Sequence, residues 1–418
     1  EYYSEIARQF FMLAKELKRK IIFFCVPADT IVSGDARQIA ELDVGDRVLS
    51  GDGDDTEILK TFTRDYEGEL IRIYPTGLLA VEITPNHPVL ISKRSGSWRS
   101  GSKRCWRRGA KLSTPFWVPA SEIQVGDYLL VPRRKDNKSF TFTFRRYRKT
   151  KEVILTPDLA KLFGLYVAEG HTQTIVRGAI VRGVNIVWSF GDHERPLVQW
   201  VHDAIERLFG TKACIVDSPS MKKEHSLRVV TSPKDLAHFL DEAFGKGAKN
   251  KRIPEFIYQA PTEIARAFVE GVYLGDGHLY TTNSSNGARF LKIATASKQL
   301  AYGLFELLCK IGLPCTITRD DFGYRIWISE LAWNGSLTQG GKLPPNKIQI
   351  SDSHVYLPVR KVERVDRKVK LYNLETSASN YCIPFIVHNC WENLYGRYNM
   401  LERTMIAKTD FVICGSRE

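Results

Sequence analysis

The sequence lacks several features that would indicate a membrane or secreted protein. It has no run of 18 apolar residues, so it predicts no membrane span. Its first stretch has neither a basic n-region nor a small-residue cleavage site, and residue 1 is Glu, so we expect a fragment without a signal peptide. Its eight cysteines form no CxxC pair, which argues against a metal cluster or a disulfide framework. Free thiols in a reducing, cytoplasmic setting fit better.

Acidic residues are scarce in one stretch of the chain. Residues 91–151 hold 17 Lys and Arg against three acids, whereas the whole chain carries a formal net charge of +13. Aromatic residues alternate with the charges, which favours a surface for double-stranded DNA over a merely solvated loop. The candidate phosphate contacts are Lys103, Arg104, Arg107, Arg108, Lys111, Arg133, Arg134, Lys135, Arg145, Arg146 and Arg148.

A short β pattern occurs twice. "AELDVGDRVLS" at residues 40–50 matches "SEIQVGDYLLV" at residues 121–131. Gly-Asp is typical of a turn, and the apolar alternation after it predicts a strand. The first 130 residues of this 418-residue, 43% apolar chain are therefore predicted to form a pseudo-twofold all-β domain, within about three domains in total.

A helical pattern is also duplicated. "LFGLYVAEG" at residues 162–170 matches "VEGVYLGDG" at residues 269–277, and each follows a Thr and Pro helix-start signal. Gly164 and Gly271 are each followed four residues later by another small residue, on the same helix face. We expect these small residues to let the two helices approach closely.

Each of these helices ends in an acid, Glu169 or Asp276. Helices that lie side by side would bring the two carboxylates together, where they repel unless a cation lies between them. Carboxylate oxygens suit Mg²⁺, and metal ions that hold a phosphodiester are one route to its hydrolysis. The alternative is an ordinary pair of buried helices, although acids at helix C-termini oppose the helix dipole.

The two helical motifs resemble those of the LAGLIDADG homing endonucleases, and "KRIPEFI" resembles the basic block between them. The resemblance implies an inserted α+β domain at residues 153–348, made of two pseudo-symmetric αββαββα-like repeats that straddle DNA as a monomer. It implies Glu169 and Asp276 as ligands of Mg²⁺ or Mn²⁺. Lys251 is the implied basic helper, with Lys342 in "GGKLPP" as a weaker counterpart.

Four further stretches resemble, in order, the splicing blocks of inteins. They are "CVPADTIV", "TPNHPVL", "VKLYNLETSASNYCIPFIVHN" and the cysteine that follows. The resemblance implies a mostly β Hint horseshoe, formed by residues 25–152 with the basic insertion and by residues 349–389. It implies protein splicing, which needs no cofactor.

The resemblance also implies a role for each junction residue. Cys25 would attack the carbonyl of Phe24 and convert that amide into a thioester, because a thiolate is a reactive nucleophile. Thr84 and His87 would lie over this bond, with His87 protonating the leaving nitrogen.

At the second junction, Cys390 would take the acyl group from the thioester. Asn389 would then cyclise through its side-chain amide and cut its own bond to Cys390, with His388 assisting. Two positions depart from the family. Asn373 stands where Asp is frequent, and Ser379 where His is frequent. We expect a carboxylate at position 373 to speed cyclisation at Asn389.

The flanks are expected to belong to a host protein. Residues 1–24 and 390–418, read together, resemble an α/β segment of GT-B glycosyltransferases, around "FFCWENLYGRYN" and "DFVICGSRE". Two alternatives remain open. The inserted nuclease could bind DNA without cutting it, or a glycosyltransferase could retain the whole insert.

Overall fold

A computed structural model describes residues 24–94, 112–146, 149–177, 180–219, 225–282, 287–313, 315–334 and 348–389. The chain divides into two compact units. The first contains residues 1–133 and 342–418, and the second contains residues 134–341. Within the described residues, no helix is both long and apolar enough to cross a membrane.

The first unit begins with short strands. They are β1 (Val26–Pro27), β2 (Ile31–Val32), β3 (Arg37–Gln38), β4 (Arg47–Leu49), β5 (Asp55–Pro75), β6 (Val81–Ile83), β7 (Pro88–Ser92), β8 (Phe116–Pro119) and β9 (Tyr128–Pro132). Only β5, with 21 residues, is long. One-turn 3₁₀ helices at Ile39–Glu41 and Ala120–Glu122 come before β4 and β9, so the duplicated sequence pattern has the same local structure twice.

The second unit begins with a hairpin and continues with two repeats of the same element order. The hairpin is β10 (Thr141–Arg146) and β11 (Lys149–Ile154). The first repeat is α1 (Pro157–Glu169), β12 (Gly170–Arg177), β13 (Ile180–Gly191), α2 (Arg195–Phe209), β14 (Cys214–Pro219), β15 (His225–Thr231) and α3 (Lys234–Phe244). After α4 (Glu255–Gln259), the second is α5 (Thr262–Asp276), β16 (Gly277–Thr281), β17 (Arg289–Thr295), α6 (Lys298–Lys310), β18 (Cys315–Asp320), β19 (Gly323–Ser329) and α7 (Glu330–Trp333).

The sheets of the two repeats have equivalent strand orders. The first sheet runs β12-β13-β15-β14 and the second β16-β17-β19-β18, both antiparallel. Thr156 caps α1 by accepting from the Leu159 amide at 3.3 Å, and Pro261 immediately precedes α5. The predicted αββαββα-like repeats and their start signals are therefore present.

The boundary between the units differs from the predicted one. The sequence placed residues 25–152 in the splicing domain, but the second unit begins at residue 134 and includes the basic hairpin β10–β11. The reason is aromatic packing. Phe142 lies 5.1 Å from Phe239 and 4.9 Å from Phe256, and Phe144 lies 5.4 Å from Phe209, measured between ring centroids. Such ring pairs stabilise beyond their buried area.

The first unit resumes after the second. Its last strands are β20 (Gln349–Ile350), β21 (His354–Thr376), β22 (Asn380–Cys382) and β23 (Ile386–His388). The main sheet runs β22-β23-β7-β9-β21-β5-β4, with β1 and β20 on β21, β6 on β5 and β8 on β7, while β2 and β3 pair separately. Because β1 follows Cys25 and β23 ends at His388, both ends of the 25–389 segment enter one sheet.

The Val-Gly-Asp repeat shows how this sheet is built. Gly45 (φ 91°) and Gly126 (φ 97°) turn the chain in the left-handed region. The aspartate after each glycine accepts a 2.9 Å hydrogen bond from the amide three residues earlier. The strand after the first turn, β4, pairs with β5, whereas β9 pairs with β21 from beyond the second unit. The pseudo-twofold pattern thus extends beyond the first 130 residues, contrary to the prediction.

Candidate functional site

Cys25 lies buried beside β1 and is held by Thr84. The Cys25 amide donates to Thr84 Oγ1 at 3.0 Å, and the Thr84 amide donates to the Cys25 carbonyl at 3.0 Å. The Cys25 side chain is only 2% exposed. Burial raises the pKa of its thiol to about 12, although the charge of Arg64 acts in the opposite direction. The resting thiol is therefore neutral, and its attack on Phe24 requires removal of a proton.

His87 connects the two predicted junctions. Its Nε2 donates to the carbonyl of His388 at 3.0 Å, and because a carbonyl only accepts, the proton of the neutral ring lies on Nε2. Its Nδ1 is buried and has no hydrogen-bond partner within the described residues. Burial lowers the pKa of His87 to about 3, with the backbone of His388 and Cys25 acting in the opposite direction. The ring is thus neutral, with Nδ1 available as a base.

The second junction has a polarised carbonyl. His388 Nδ1 donates to the carbonyl oxygen of Asn389 at 2.9 Å, and its ring contacts Trp117 edge-on at 5.3 Å between centroids. Burial lowers the pKa of His388, so the ring is neutral and carries its proton on Nδ1. The buried Asn389 side chain donates from Nδ2 to the Thr376 carbonyl at 3.3 Å. Cys390 lies outside the described residues.

Asn373 contacts the first junction, which the sequence did not indicate. Its Nδ2 donates to the carbonyl oxygen of Phe24, the group that Cys25 would attack. Its Oδ1 accepts from the Leu374 amide and from the Tyr381 hydroxyl, at 2.7 Å each. The expectation that position 373 acts on Asn389 is therefore replaced by a role at Phe24.

The other departure, Ser379, lies in the turn between β21 and β22. Its backbone is left-handed, with φ 61°, and its amide donates to the Thr376 carbonyl at 3.0 Å. Its own carbonyl accepts from the Asn389 amide at 3.3 Å. Ser379 thus supports the second junction through its backbone.

In the second unit, helices α1 and α5 cross in close contact at their glycines. A Cβ on Gly164 would lie 2.2 Å from the Phe268 carbonyl oxygen, and one on Gly271 would lie 2.1 Å from the Lys161 carbonyl oxygen. Real Cβ atoms do not approach backbone this closely, so both positions require glycine. The close helix pair predicted from the small-residue pattern is confirmed.

We expect Gly271→Ala to destabilise the second unit by about 3 kcal/mol, because the added methyl group must push backbone aside. Gly183→Ala is the matched control, since its new Cβ would meet only Ile175 Cδ1 at 3.7 Å, an ordinary contact. Urea unfolding of the full chain measures both variants. Equal midpoints for the two variants would show that the helices do not need the glycine at 271.

Glu169 and Asp276 end α1 and α5 and form an acid pair. Burial raises the pKa of Glu169 to about 7, and the charges of Asp276 and Glu194 raise it further. Burial raises the pKa of Asp276 to about 7 as well, while Lys251 acts in the opposite direction. The repulsion within the pair is mutual, so two anions here are disfavoured without a cation.

The acid pair fits a divalent cation that shares its ligands with a substrate. Within the described residues, no three His, Cys, Asp or Glu side chains group to hold a metal ion. Mg²⁺, however, is commonly held by one or two carboxylates together with water and phosphate oxygens. The two buried acids therefore suit an open cation site rather than a closed structural one.

Lys251 lies at the C-terminal end of α1. Its Nζ donates to the carbonyls of Tyr166 at 3.0 Å and Gly170 at 2.9 Å, and it lies 4.1 Å from the centroid of the Tyr166 ring. Burial lowers its pKa to about 8, with Asp241 and Asp276 acting in the opposite direction. The lysine thus caps the helix and places a positive charge near the acid pair. Lys342 lies outside the described residues.

The predicted DNA contacts are only partly described. Arg134 is 4% exposed and pairs with Glu306 and Asp136 at 3.2 Å each, so it is not available to a phosphate, and that prediction is wrong. Lys135 and Arg145 are exposed, whereas the half-buried Arg133 donates to the Ser351 carbonyl at 2.9 Å. The remaining positions lie outside the described residues or, for Arg146, the described side chains: Lys103, Arg104, Arg107, Arg108, Lys111, Arg146 and Arg148.

Comparison with known proteins assigns part of the second unit. Residues 263–333, which begin in α5, match the family of LAGLIDADG-like domains, so the chain contains such a domain. An iron-sulfur cluster assembly SufBD family protein of Mycobacterium tuberculosis is 25% identical over 89% of this chain and 43% of its own length. The ATP-dependent DNA helicase Hel308 of Thermococcus kodakarensis is 26% identical over 87% of this chain and 36% of its own length. The chain thus spans less than half of either relative.

Solved structures similar to the chain include two homing endonucleases. I-DmoI in complex with DNA and Mn has a TM-score of 0.32 and 18% identity, covering 42% of this chain and 91% of its own. I-WcaI bound to its DNA recognition sequence has a TM-score of 0.31 and 14% identity, covering 43% of this chain and 80% of its own.

Proposed function

We propose that the first unit excises residues 25–389 by autocatalytic protein splicing. The observation that carries this proposal is the convergence of both junctions on one short turn. Thr84 holds the Cys25 amide at 3.0 Å, and His87, three residues later, donates to the His388 carbonyl at 3.0 Å. Two chain ends more than 360 residues apart are thereby joined by groups suited to acyl transfer.

The first step is an acyl shift at Phe24. Nδ1 of neutral His87 takes the thiol proton, and Cys25 Sγ attacks the Phe24 carbonyl carbon. The amide C–N bond then breaks, and the proton passes to the leaving nitrogen, which Thr84 already orients through its hydroxyl. The product is a thioester between Phe24 and Cys25.

The later steps use the second junction. Cys390 takes the acyl group from the Cys25 thioester, which gives a branched chain. The side-chain nitrogen of Asn389 then attacks its own carbonyl carbon, whose oxygen already accepts from His388 Nδ1 at 2.9 Å. The peptide bond to Cys390 breaks, and an S-to-N shift joins the flanks through a normal amide.

The two relatives support an inserted element. Their names denote unrelated activities, iron-sulfur cluster assembly and DNA unwinding, yet each matches nearly all of this chain over less than half of its own length. A segment common to unrelated proteins is expected of an element that moves between hosts. The host here is proposed to be a cytoplasmic glycosyltransferase-like protein, on the sequence of residues 1–24 and 390–418.

Expression of the full chain tests the proposal. We expect a free species of residues 25–389 and a ligated species that joins Phe24 to Cys390, both identified by mass spectrometry. A chain that stays intact in reducing buffer contradicts splicing, and favours a host that permanently retains the insert.

For the second unit, the proposed function is site-specific cleavage of both strands of DNA. The favouring observation is the Glu169 and Asp276 pair at the crossing helices, within a chain that matches LAGLIDADG-like domains. A bound Mg²⁺ or Mn²⁺ would supply the positive charge that stabilises a reacting phosphodiester. The two carboxylates would hold the cation, and both halves of the site come from one chain, so a monomer suffices.

The proposed DNA substrate is the host gene without the insertion, at the junction that encodes "KIIFF" followed directly by "CWENLY". The insertion splits this sequence, so the gene that carries it is protected. Incubation of the protein with a linear duplex of this junction, with Mg²⁺ or Mn²⁺, is the test. Binding without cutting would indicate a DNA-binding domain instead.

A further inference from the structure

We propose that Asn373 is a further catalytic residue, whose side-chain amide stabilises the oxyanion that forms on Phe24 in the first acyl shift. This inference rests on the proposed splicing function. It differs from the role expected for this position from the sequence, which concerned cyclisation at Asn389.

The donor is aimed at the reacting carbonyl. Nδ2 of Asn373 donates to the Phe24 carbonyl oxygen, and the Asn373 side chain is 0% exposed. Bulk water therefore does not compete for this oxygen from the side of Asn373. A donor held in a dry site is worth more to a developing negative charge than the same donor in water.

The orientation of the amide is fixed by its other contacts. Oδ1 accepts from the Leu374 amide and from the Tyr381 hydroxyl at 2.7 Å each. A flipped amide would direct its NH₂ group at the Leu374 N–H, which can only donate. The hydroxyl of Tyr381 keeps its proton, because burial raises its pKa well above the usual value. Nδ2 is thus held on the Phe24 side before the reaction begins.

The chemistry of the shift uses this arrangement. When Cys25 Sγ bonds to the Phe24 carbonyl carbon, the C=O π electrons move onto the oxygen, which becomes an oxyanion. The hydrogen bond from Asn373 strengthens as that charge develops, so it lowers the barrier more than it stabilises the ground state. Collapse of the intermediate restores the C=O bond and expels the Cys25 nitrogen, which receives the former thiol proton.

Asn373→Asp isolates the donor. Aspartate has nearly the same shape, and one carboxylate oxygen can still accept from Leu374 and Tyr381. The other oxygen replaces the NH₂ group and, when ionised, repels the oxyanion instead of stabilising it. The variant therefore removes the proposed function while it preserves the packing around the side chain.

The experiment uses the full chain with Asn389→Ala and Cys390→Ala, so that only the first shift can proceed. Dithiothreitol then releases residues 1–24 at a rate that reports thioester formation. We expect Asn373→Asp to slow this release about 100-fold, the usual scale for loss of one oxyanion donor. The matched control is Asn380→Asp, whose Oδ1 accepts from the Gly51 amide and whose Nδ2 donates to the Ala378 carbonyl, away from both junctions. We expect that control to stay within about threefold of its parent.

A second background shows that the variant still folds. In a chain with Cys25→Ala, cleavage between Asn389 and Cys390 proceeds without the first shift. We expect Asn373→Asp to leave this rate within about threefold, because its contacts lie at Phe24.

Three outcomes contradict parts of this account. An unchanged dithiothreitol-induced rate, or equal slowing at both junctions, overturns the role of Asn373 alone. Faster C-terminal cleavage with an unchanged N-terminal rate favours the role expected from the sequence. Parent chains that cleave at neither junction overturn the splicing proposal, and the role of Asn373 with it.

Discussion

Asn389→Ala is expected to abolish both ligation and cleavage at the second junction, and to leave thiol-induced cleavage between Phe24 and Cys25 intact. The side-chain nitrogen of Asn389 is the proposed nucleophile, and alanine has none. The contacts of the first junction, from Thr84 Oγ1 and from His87, do not involve the Asn389 side chain. The two bonds therefore respond differently to one substitution.

The measurement is mass spectrometry of the expressed chain, with and without dithiothreitol. Asn380→Ala is the control, because it removes another asparagine from the same segment without touching a junction. We expect the control to splice within a few-fold of the parent, whereas Asn389→Ala yields no ligated flanks. Detection of the ligated product from Asn389→Ala would rule out this mechanism.

Local patterns in the sequence predicted the turns and the helix crossing. Gly45 and Gly126 are needed for a backbone with positive φ, and the residues around them are enough to indicate it. Gly164 and Gly271 leave helix faces without side chains, which is also a local property. What each turn pairs with was not local. The partner of β9 is β21, which follows an insertion of about 200 residues, so the first 130 residues could not reveal it.

Long-range contacts decided the two main errors in the candidate sites. Asn373 meets Phe24 across 349 positions, and nothing near Asn373 in the sequence signals that contact. Arg134 stands in a basic stretch, but Glu306, 172 positions away, gives it a buried partner. A run of charge predicts a basic surface on average, and it does not tell which arginine leaves that surface to pair with an acid.

Glu169→Gln and Asp276→Asn are each expected to abolish cleavage of the junction duplex, to below about 1% of the parent rate, because each carboxylate would hold the cation that acts on both strands. Neither residue belongs to the first unit, so both variants should still splice. Each substitution also removes a charge from a buried pair whose pKa values are both raised to about 7. We therefore expect the melting temperature of each variant to equal or exceed that of the parent at pH 8, where the parent pair is ionised.

The combination separates a catalytic role from a structural one. A structural acid would lower the melting temperature when it is replaced, whereas a metal ligand should lose activity without losing stability. Glu270→Gln is the matched control, since it lies on the same helix as Asp276 and makes a partly exposed ion pair with Lys161 at 2.9 Å. Such pairs contribute little, so this variant should cut like the parent. If either acid variant still cuts both strands, the acids at the helix ends are not the active site. If the parent splices but leaves the duplex intact with Mg²⁺ and with Mn²⁺, the second unit does not cleave this junction.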